Sequence, residues 1–500
     1  MEYKDLEIWF VTGAQLLYGG DAVVAVDAHS NEIVKGLNAS GKLPVKVIYK
    51  GTVNSSPEVS AAFNAANNET KCVGVITWMH TFSPAKMWIH GLKDYKKPLL
   101  HLHTQFNKEI PWSEIDMDFM NLNQSAHGDR EFGHIVSRMR KNRKVVVGHW
   151  QDTSVLSKIA VWMRASVAWS DSQDMRIIRF GDNMNNVAVT DGDKVEAELR
   201  FGYHVDYYPI GDLVAYQDKV SESDIDALVS VYEKEYTFAD NCKKGAKDHG
   251  QVREAAREEI AIRCFLKDKN AKAFTTNFDA LHGLNQLPGL ASQRLMAEGY
   301  GFGAEGDWKT AALVRSFWVM AQGLPGGTSF LEDYTYHFNG AKSAILQAHM
   351  LEVSPEIASA KPRLEVHPLG IGGKADPARL VFTAHEGTGV AATIVDMGNR
   401  FRMIVNVVDV IKPAALPKLP VASALWIPQP NLEVGAAAWI LAGGTHHTAF
   451  SYALSIEHME DFAEMADVEL LLIDNETTVS GFKQALRSNE VYYMLNKALR

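Results

Sequence analysis

Cysteine is scarce: only Cys72, Cys242 and Cys264 occur in 500 residues, and no two stand in a CxxC or other ligand spacing. An odd, unspaced set excludes a disulfide framework and a thiolate zinc site, and predicts reduced thiols buried in the core of a cytoplasmic protein. No apolar run reaches the 18 residues of a membrane-spanning helix, and the opening MEYKDLEIWFVTG lacks the basic and apolar regions of a secretory leader. Positive charge is also in deficit, since 50 Lys and Arg face 60 Asp and Glu, for a net charge of −10 with no Lys/Arg stripe. That balance argues against nucleic acid or an anionic membrane as partner and leaves small neutral molecules as substrates. Internal repeats and low-complexity tracts are missing. What remains, 46% hydrophobic and 22% charged, is an ordinary globular composition long enough for two to four domains.

The first third alternates apolar strands (LEIWFVTG, LPVKVIYK, CVGVITW, PLLHLHTQ, KVVVGHW) with helical stretches, the pattern of a parallel sheet with βα crossovers. MRIIRFGDN opens a second alternating region. Its segments VSESDIDALVSVYEKEY and KKGAKDHGQVREAAREEIAIRCFLK read as exposed helices of mixed charge. Beyond Leu324–Gly327, the stretch from ARLVFTAHEG to NVVDVI reads as short antiparallel strands with Gly, Asn and Asp turns, and LPKLPVASALWIPQP as a proline-punctuated crossover. The expected fold is therefore α/β, with alternating, Rossmann-like or flavodoxin-like domains at 1–172 and 173–327. A mostly antiparallel, barrel-like β domain is expected at 328–500.

Two carboxylates and two histidines in the C-terminal half stand in settings unlike surface loops. Glu332 lies in GGTSFLEDYTYHF, where a strand period of two puts Phe330, Glu332, Tyr334, Tyr336 and Phe338 on one face. A carboxylate in an aromatic row is protonated, paired with a cation or bound to a metal. Glu305 lies in GFGAEGDWKTAAL, whose Gly301, Gly303 and Gly306 spell G-x-G-x-x-G. A dinucleotide site is rejected, because ASQRLMAEGY before it reads as helix and a glutamate in the loop would repel a pyrophosphate. Asp307 fits the N-cap of a helix starting near Trp308. His349 in SAILQAHMLEV falls on a strand face with Ile345, Leu351 and Val353, while His446 and His447 follow a strand-like AAAWILAGG and leave the sheet there. No local spacing joins Glu305, Glu332, His349 and His447, but oxygen and imidazole donors together suit Mn²⁺. Structural ion pairs and core histidines are the alternatives from these residues alone.

The N-terminal turns carry polar and aromatic groups where an α/β sheet binds ligands, beyond the carboxyl ends of its strands. Gln15, Leu17 and Tyr18 form one such turn, Trp78, His80, Thr81 and Phe82 a second, and Asn121, Gln124 and His127 a third. Amide and imidazole groups beside aromatic faces are what a hydroxyl-rich ligand needs.

These segments together resemble the L-arabinose isomerase family over nearly the whole chain. The resemblance rests on GAQLLYG, WMHTFSPAKMW, HTQFN, DMDFMNLNQSAHG, GHWQD, RFGDNM, VAVTDGDKV, TTNFDALHGLNQLPGLASQRLM, GAEGDWKTA, GGTSFLEDYTYHF, HMLEV, GIGGKADPARLVF and LAGGTHHT. It implies a Mn²⁺-dependent aldose–ketose isomerase that converts L-arabinose to L-ribulose, and D-galactose to D-tagatose as a secondary reaction, through a cis-enediol. It also implies Glu305 and Glu332 as catalytic carboxylates, with Glu305, Glu332, His349 and His447 as the metal ligands. A homohexamer of two trimers is implied, in which Gln15, Leu17, Gln124 and His127 line a site shared between subunits. Met184 and Phe278 are then expected to shape the sugar pocket, with Asp307 and His446 beside the substrate. An L-fucose-type ketol isomerase and a non-catalytic sugar-binding protein are the alternatives. Departures are Ala14, where serine is common, and the individual tail MLNKALR.

Overall fold

The computed structural model describes residues 3–498 except Gly372, so one glycine of GIGGKADPARLVF and the last two residues of the tail lie outside the described residues. The chain divides into two compact units, residues 1–171 with 457–467, and residues 172–456 with 468–500.

In the first unit, β1 (Glu7–Gly13), β2 (Lys46–Val53), β3 (Cys72–Met79), β4 (Leu99–His103) and β5 (Lys144–Val147) form one sheet in the order β2-β1-β3-β4-β5. Every pairing is parallel. β3 is buried at all of its positions, because helices cover both faces and each face must then be apolar. Chain direction across the sheet reverses between β1 and β3, and the crevice beyond their carboxyl ends is where such a sheet takes a ligand. The late segment 457–467 returns to this unit. There Lys144 Nζ bonds Glu457 at 2.7 Å and Asp461 at 2.5 Å, and Asn142 Nδ2 donates to the Glu464 carbonyl at 2.8 Å.

The second unit contains β6 (Met175–Phe180), β7 (Tyr203–Tyr208), β8 (Thr237–Phe238), β9 (Ala271–Thr276) and β10 (Gly301–Ala304). Four of these make a parallel sheet in the order β10-β9-β6-β7. Next come β11 (Thr328–His337), β12 (Ala344–Ala348), β13 (Arg363–Val366), β14 (Ala378–Val381), β15 (Gly387–Asp396), β16 (Phe401–Ile411), β17 (Ser423–Pro428), β18 (His447–Ser451) and β19 (Glu469–Ile473). The antiparallel order β15-β18-β11-β12-β17-β16 is closed by direct pairing of β15 with β16, so six strands form a barrel without free edges. β19 adds to β16 in parallel, and β8, β13 and β14 form a small separate sheet. Leu331, Ala391, Val408, Val410, Ala424, Trp426 and Phe450 belong to the core cluster of the barrel. The expected α/β plus antiparallel barrel architecture is thus the observed one.

Several local expectations are corrected. AAAWILAGG is not strand-like: it lies mostly in the helix Leu432–Leu441, capped by Asn431, whose side chain accepts from Val434 N. An apolar run alone does not separate buried helix from strand, and Ala favours helix. β18 starts only at His447, so the His446–His447 pair leads into the sheet. The aromatic row on β11 is broken by a bulge, since the register with β12 shifts between Asp333 and Thr335. The extra residue passes alternation to the other face, leaving Glu332 with Thr335 and His337, and Asp333 with Tyr336. Finally, SALWIP in the expected crossover is strand β17, and the helix His249–Asp268 buries Glu258 and Glu259 as well as its apolar stripe.

Candidate active site

Glu305 stands immediately beyond the carboxyl end of β10, in the second unit. Its φ is +59°, a left-handed conformation that costs a non-glycine residue free energy and is concentrated at functional sites. The glycines around it serve packing. A Cβ on Gly303 would lie 2.2 Å from the Asp307 carbonyl, and one on Gly306 would lie 2.5 Å from Asn183 Cα. The motif therefore lets the helix Trp308–Ala321 press on β10 and lets the loop after β6 reach the turn. Met184 N donates to the Glu305 carbonyl at 2.9 Å, and Asn183 Nδ2 to that of Gly306 at 3.2 Å. Asp307 caps the helix as expected, accepting from Thr310 N and Thr310 Oγ1.

The barrel supplies the remaining groups. Glu332 on β11 has His447 of β18 and Ala348 of β12 as its cross-strand neighbours, and His349 follows directly where β12 ends. His349 is therefore placed by the end of a strand, not by a strand face shared with Leu351 and Val353. His349 Nε2 lies 3.6 Å from Glu332 Oε2, His446 Nε2 is 3.8 Å from Glu305 and 4.0 Å from Glu332, and His447 Nε2 is 4.0 Å from Glu305. Phe330 is fully buried behind them, with the His349 and His447 rings each edge-on at 5.2 Å and Phe302 of β10 at 5.5 Å.

Charge is arranged in pairs around this cluster. His446, with His447 and His349 adding, holds the Glu305 carboxyl below its ordinary value even though burial opposes this. Glu305 in turn raises His446. Burial works to lower the His349 pKa, but the Glu352 carboxylate, bonded to Nδ1, and the two site glutamates push it up to about 9. Burial likewise opposes ionisation of Asp307, but Lys309 and His447 outweigh it and hold the carboxyl low. Asp307 Oδ2 meets His447 Nδ1 at 3.1 Å and Lys309 Nζ lies 3.4 Å from Oδ1. Both oxygens of Asp307 are engaged inside the protein, which sets it behind His447.

Three family models match in succession: the L-arabinose isomerase N-terminal domain over residues 2–174, the central domain over 176–323 and the C-terminal domain over 327–469. The chain belongs to the L-arabinose isomerase family. It is 68% identical to the L-arabinose isomerase of Bacteroides thetaiotaomicron over 99% of both chains, and 58% identical to that of Herpetosiphon aurantiacus over the full length of both. The L-arabinose isomerase of Geobacillus stearothermophilus is 56% identical over 99% of both chains.

The donor set suits the divalent ion that the family resemblance implies. Two carboxylates and the Nε2 atoms of His349 and His447 converge, and His447 Nε2 is buried without any hydrogen-bond partner, an orphaned lone pair of the kind a metal satisfies. Glu305, His446 and His447 already hold ligand atoms within 4.8 Å of one another. Phe278 is part-buried just beyond the carboxyl end of β9, where neighbouring Asn277 bonds the Asp182 carbonyl of the loop carrying Met184. The other expected sugar contacts gather separately in the first unit, at the β1/β3 crevice. Gln124 Nε2 donates to the Tyr18 hydroxyl at 3.3 Å, Gln15 is buried with its amide nitrogen unpartnered, Leu17 is 78% exposed, and His127 lies against Phe82. Sequence reading placed Phe330 in the aromatic row with Glu332 but passed over Lys309 and Glu352. For Glu352 the signal was an i, i+3 acid after a candidate histidine.

Proposed function

We propose that the chain is an aldose–ketose isomerase that converts L-arabinose to L-ribulose, and D-galactose to D-tagatose as a secondary reaction. The observation that carries the reading is the convergence of Glu305, Glu332, His349 and His447 in one part-buried cluster, in a chain of this family. In the proposal these four hold one Mn²⁺, which when bound polarises the sugar carbonyl and offsets the negative charge that develops on the sugar oxygens. Glu305 and Glu332 divide the proton transfers of the cis-enediol route: a carboxylate takes the proton from C2, and the acid so formed returns it to C1 while a second proton moves between O2 and O1. His446 keeps Glu305 ionised and so available as a base. Met184 and Phe278 close the sugar pocket, and Phe330 excludes water from behind the imidazoles.

The proposal extends to three domains, 1–172, 173–327 and 328–500, in a cytoplasmic homohexamer. Gln15, Leu17, Gln124 and His127 there complete sites shared between subunits. Leu17 and His127 are both exposed, which supports that assignment.

The test is ketose formation by chelator-stripped protein from L-arabinose, D-galactose and L-fucose, with and without Mn²⁺. Activity on arabinose that returns with Mn²⁺ is expected. Turnover confined to fucose, or binding of sugar without turnover, would overturn the reading. Glu305→Ala and Glu332→Ala should each lower kcat by orders of magnitude, and substantial turnover by either at saturating Mn²⁺ would remove that residue from the proton transfers.

A further inference from the structure

We infer that Glu352 is the positioning residue that orients His349 for the ion, an inference that rests on the ligand set proposed above. β12 ends at Ala348, and the chain from His349 to Val353 turns so that the Glu352 side chain folds back on its neighbour of three residues earlier. Glu352 Oε2 accepts from His349 Nδ1 at 2.5 Å and from Leu351 N at 3.0 Å, with both side chains buried.

Those contacts fix what a metal-binding imidazole needs. A carboxylate that accepts from Nδ1–H keeps that nitrogen as the donor, so Nε2, on the side of Glu332 at 3.6 Å, is the nitrogen that would bind the ion once its own proton is displaced. Phe330, edge-on at 5.2 Å, blocks rotation of the ring on one flank. Arg379, itself buried, interacts favourably with Glu352 and offsets part of the cost of an anion in this position. The same device recurs at His447, whose Nδ1 faces Asp307 while Nε2 is free. The two imidazoles assigned to the ion, His349 and His447, are thus each backed by a buried carboxylate, and one of these, Asp307, also caps a helix. Glu352 caps nothing and touches no other ionisable side chain at hydrogen-bond distance except His349 among the described residues, so orientation is the role left to it.

The experiment is Mn²⁺ titration of the chelator-stripped full chain, following free Mn²⁺ by electron paramagnetic resonance, for wild type, Glu352→Gln, Glu352→Leu and His447→Ala. Glu352→Leu removes the acceptor and is expected to weaken Mn²⁺ about 10–100-fold. Glu352→Gln presents a carbonyl oxygen to the same two donors and should retain most of the affinity. If Glu352→Leu does not fold, Glu352→Asp, one methylene too short to reach Nδ1, takes its place with the same expected loss. Wild-type affinity in the Leu or Asp variant, or equal losses in it and in Glu352→Gln, would overturn the inference while His447→Ala still abolished binding. Undiminished binding by His447→Ala would instead overturn the ligand set itself. Co²⁺ substitution gives a second readout: the visible spectrum of Glu352→Gln should match wild type, and that of the Leu variant should not.

Discussion

Gly303→Ala tests whether the close contact of β10 with the helix Trp308–Ala321 sets the site. The added methyl would lie 2.2 Å from the Asp307 carbonyl and 2.9 Å from Ala311 N. An ordinary carbon–oxygen contact is 3.2 Å or more, so the turn carrying Glu305 and Asp307 must retreat by about 1 Å. Backbone strain does not confuse the result, because Gly303 is not among the glycines with positive φ. Overpacking of this kind costs about 1–3 kcal/mol of stability. A retreat of about 1 Å would stretch the 3.1 Å Asp307–His447 contact beyond hydrogen-bond range and shift Glu305 against Glu332, a misplacement that costs on the order of 10²-fold in rate. The assay is kcat at saturating Mn²⁺ and L-arabinose together with Tm. Gly250→Ala serves as control, since nothing lies within 4 Å of its added Cβ, and it should be neutral or slightly stabilising. A Gly303→Ala enzyme within about threefold of wild-type kcat, at unchanged Tm, would refute the reasoning that this packing contact holds the site.

Asp307→Asn keeps an acceptor for Thr310 N but leaves the buried Lys309 without its anion and presents an amide to His447; Tm should fall and Mn²⁺ affinity drop about 10–100-fold. Unchanged Tm and Mn²⁺ titration would reduce Asp307 to a helix cap. Burial, with His29 beside it, pushes the His80 imidazole down to about 3, so the fold keeps this ring neutral where the unfolded chain takes up a proton. Stability from His80 is then complete above pH 6.5 and is lost as pH falls towards 3, at up to about 1.4 kcal/mol per unit. The Tm of His80→Gln should therefore decline less steeply than wild type between pH 7 and 5, and parallel curves would show that His80 does not titrate in this way.

The parallel sheets were legible in the sequence because strands such as CVGVITWM, covered on both faces, leave a continuous apolar run that few other arrangements require. The same signal failed at AAAWILAGG, where a half-buried, alanine-rich helix reads identically. Asp307 could be placed as a cap from its local position alone. The bulge at Asp333 could not, because it is a property of the pairing between two strands rather than of either one. Glu305 and His446 meet only through the join between a parallel sheet and a closed barrel, and no local spacing records that. Their grouping before the structure came from the family resemblance, while Glu352, three residues from His349, was within reach of local reading and was passed over.

The return of residues 457–467 to the first unit has a bearing on how the protein is made. A ribosome adding roughly 5–20 residues per second needs on the order of a quarter of a minute to a minute to add the second unit's residues up to 456. Throughout that interval the nascent first unit holds Lys144 without Glu457 and Asp461, and β5 without the segment that later packs beside it. The first unit to emerge therefore cannot be completed until most of the second has been made, and synthesis halted before residue 457 leaves both units unfinished rather than one.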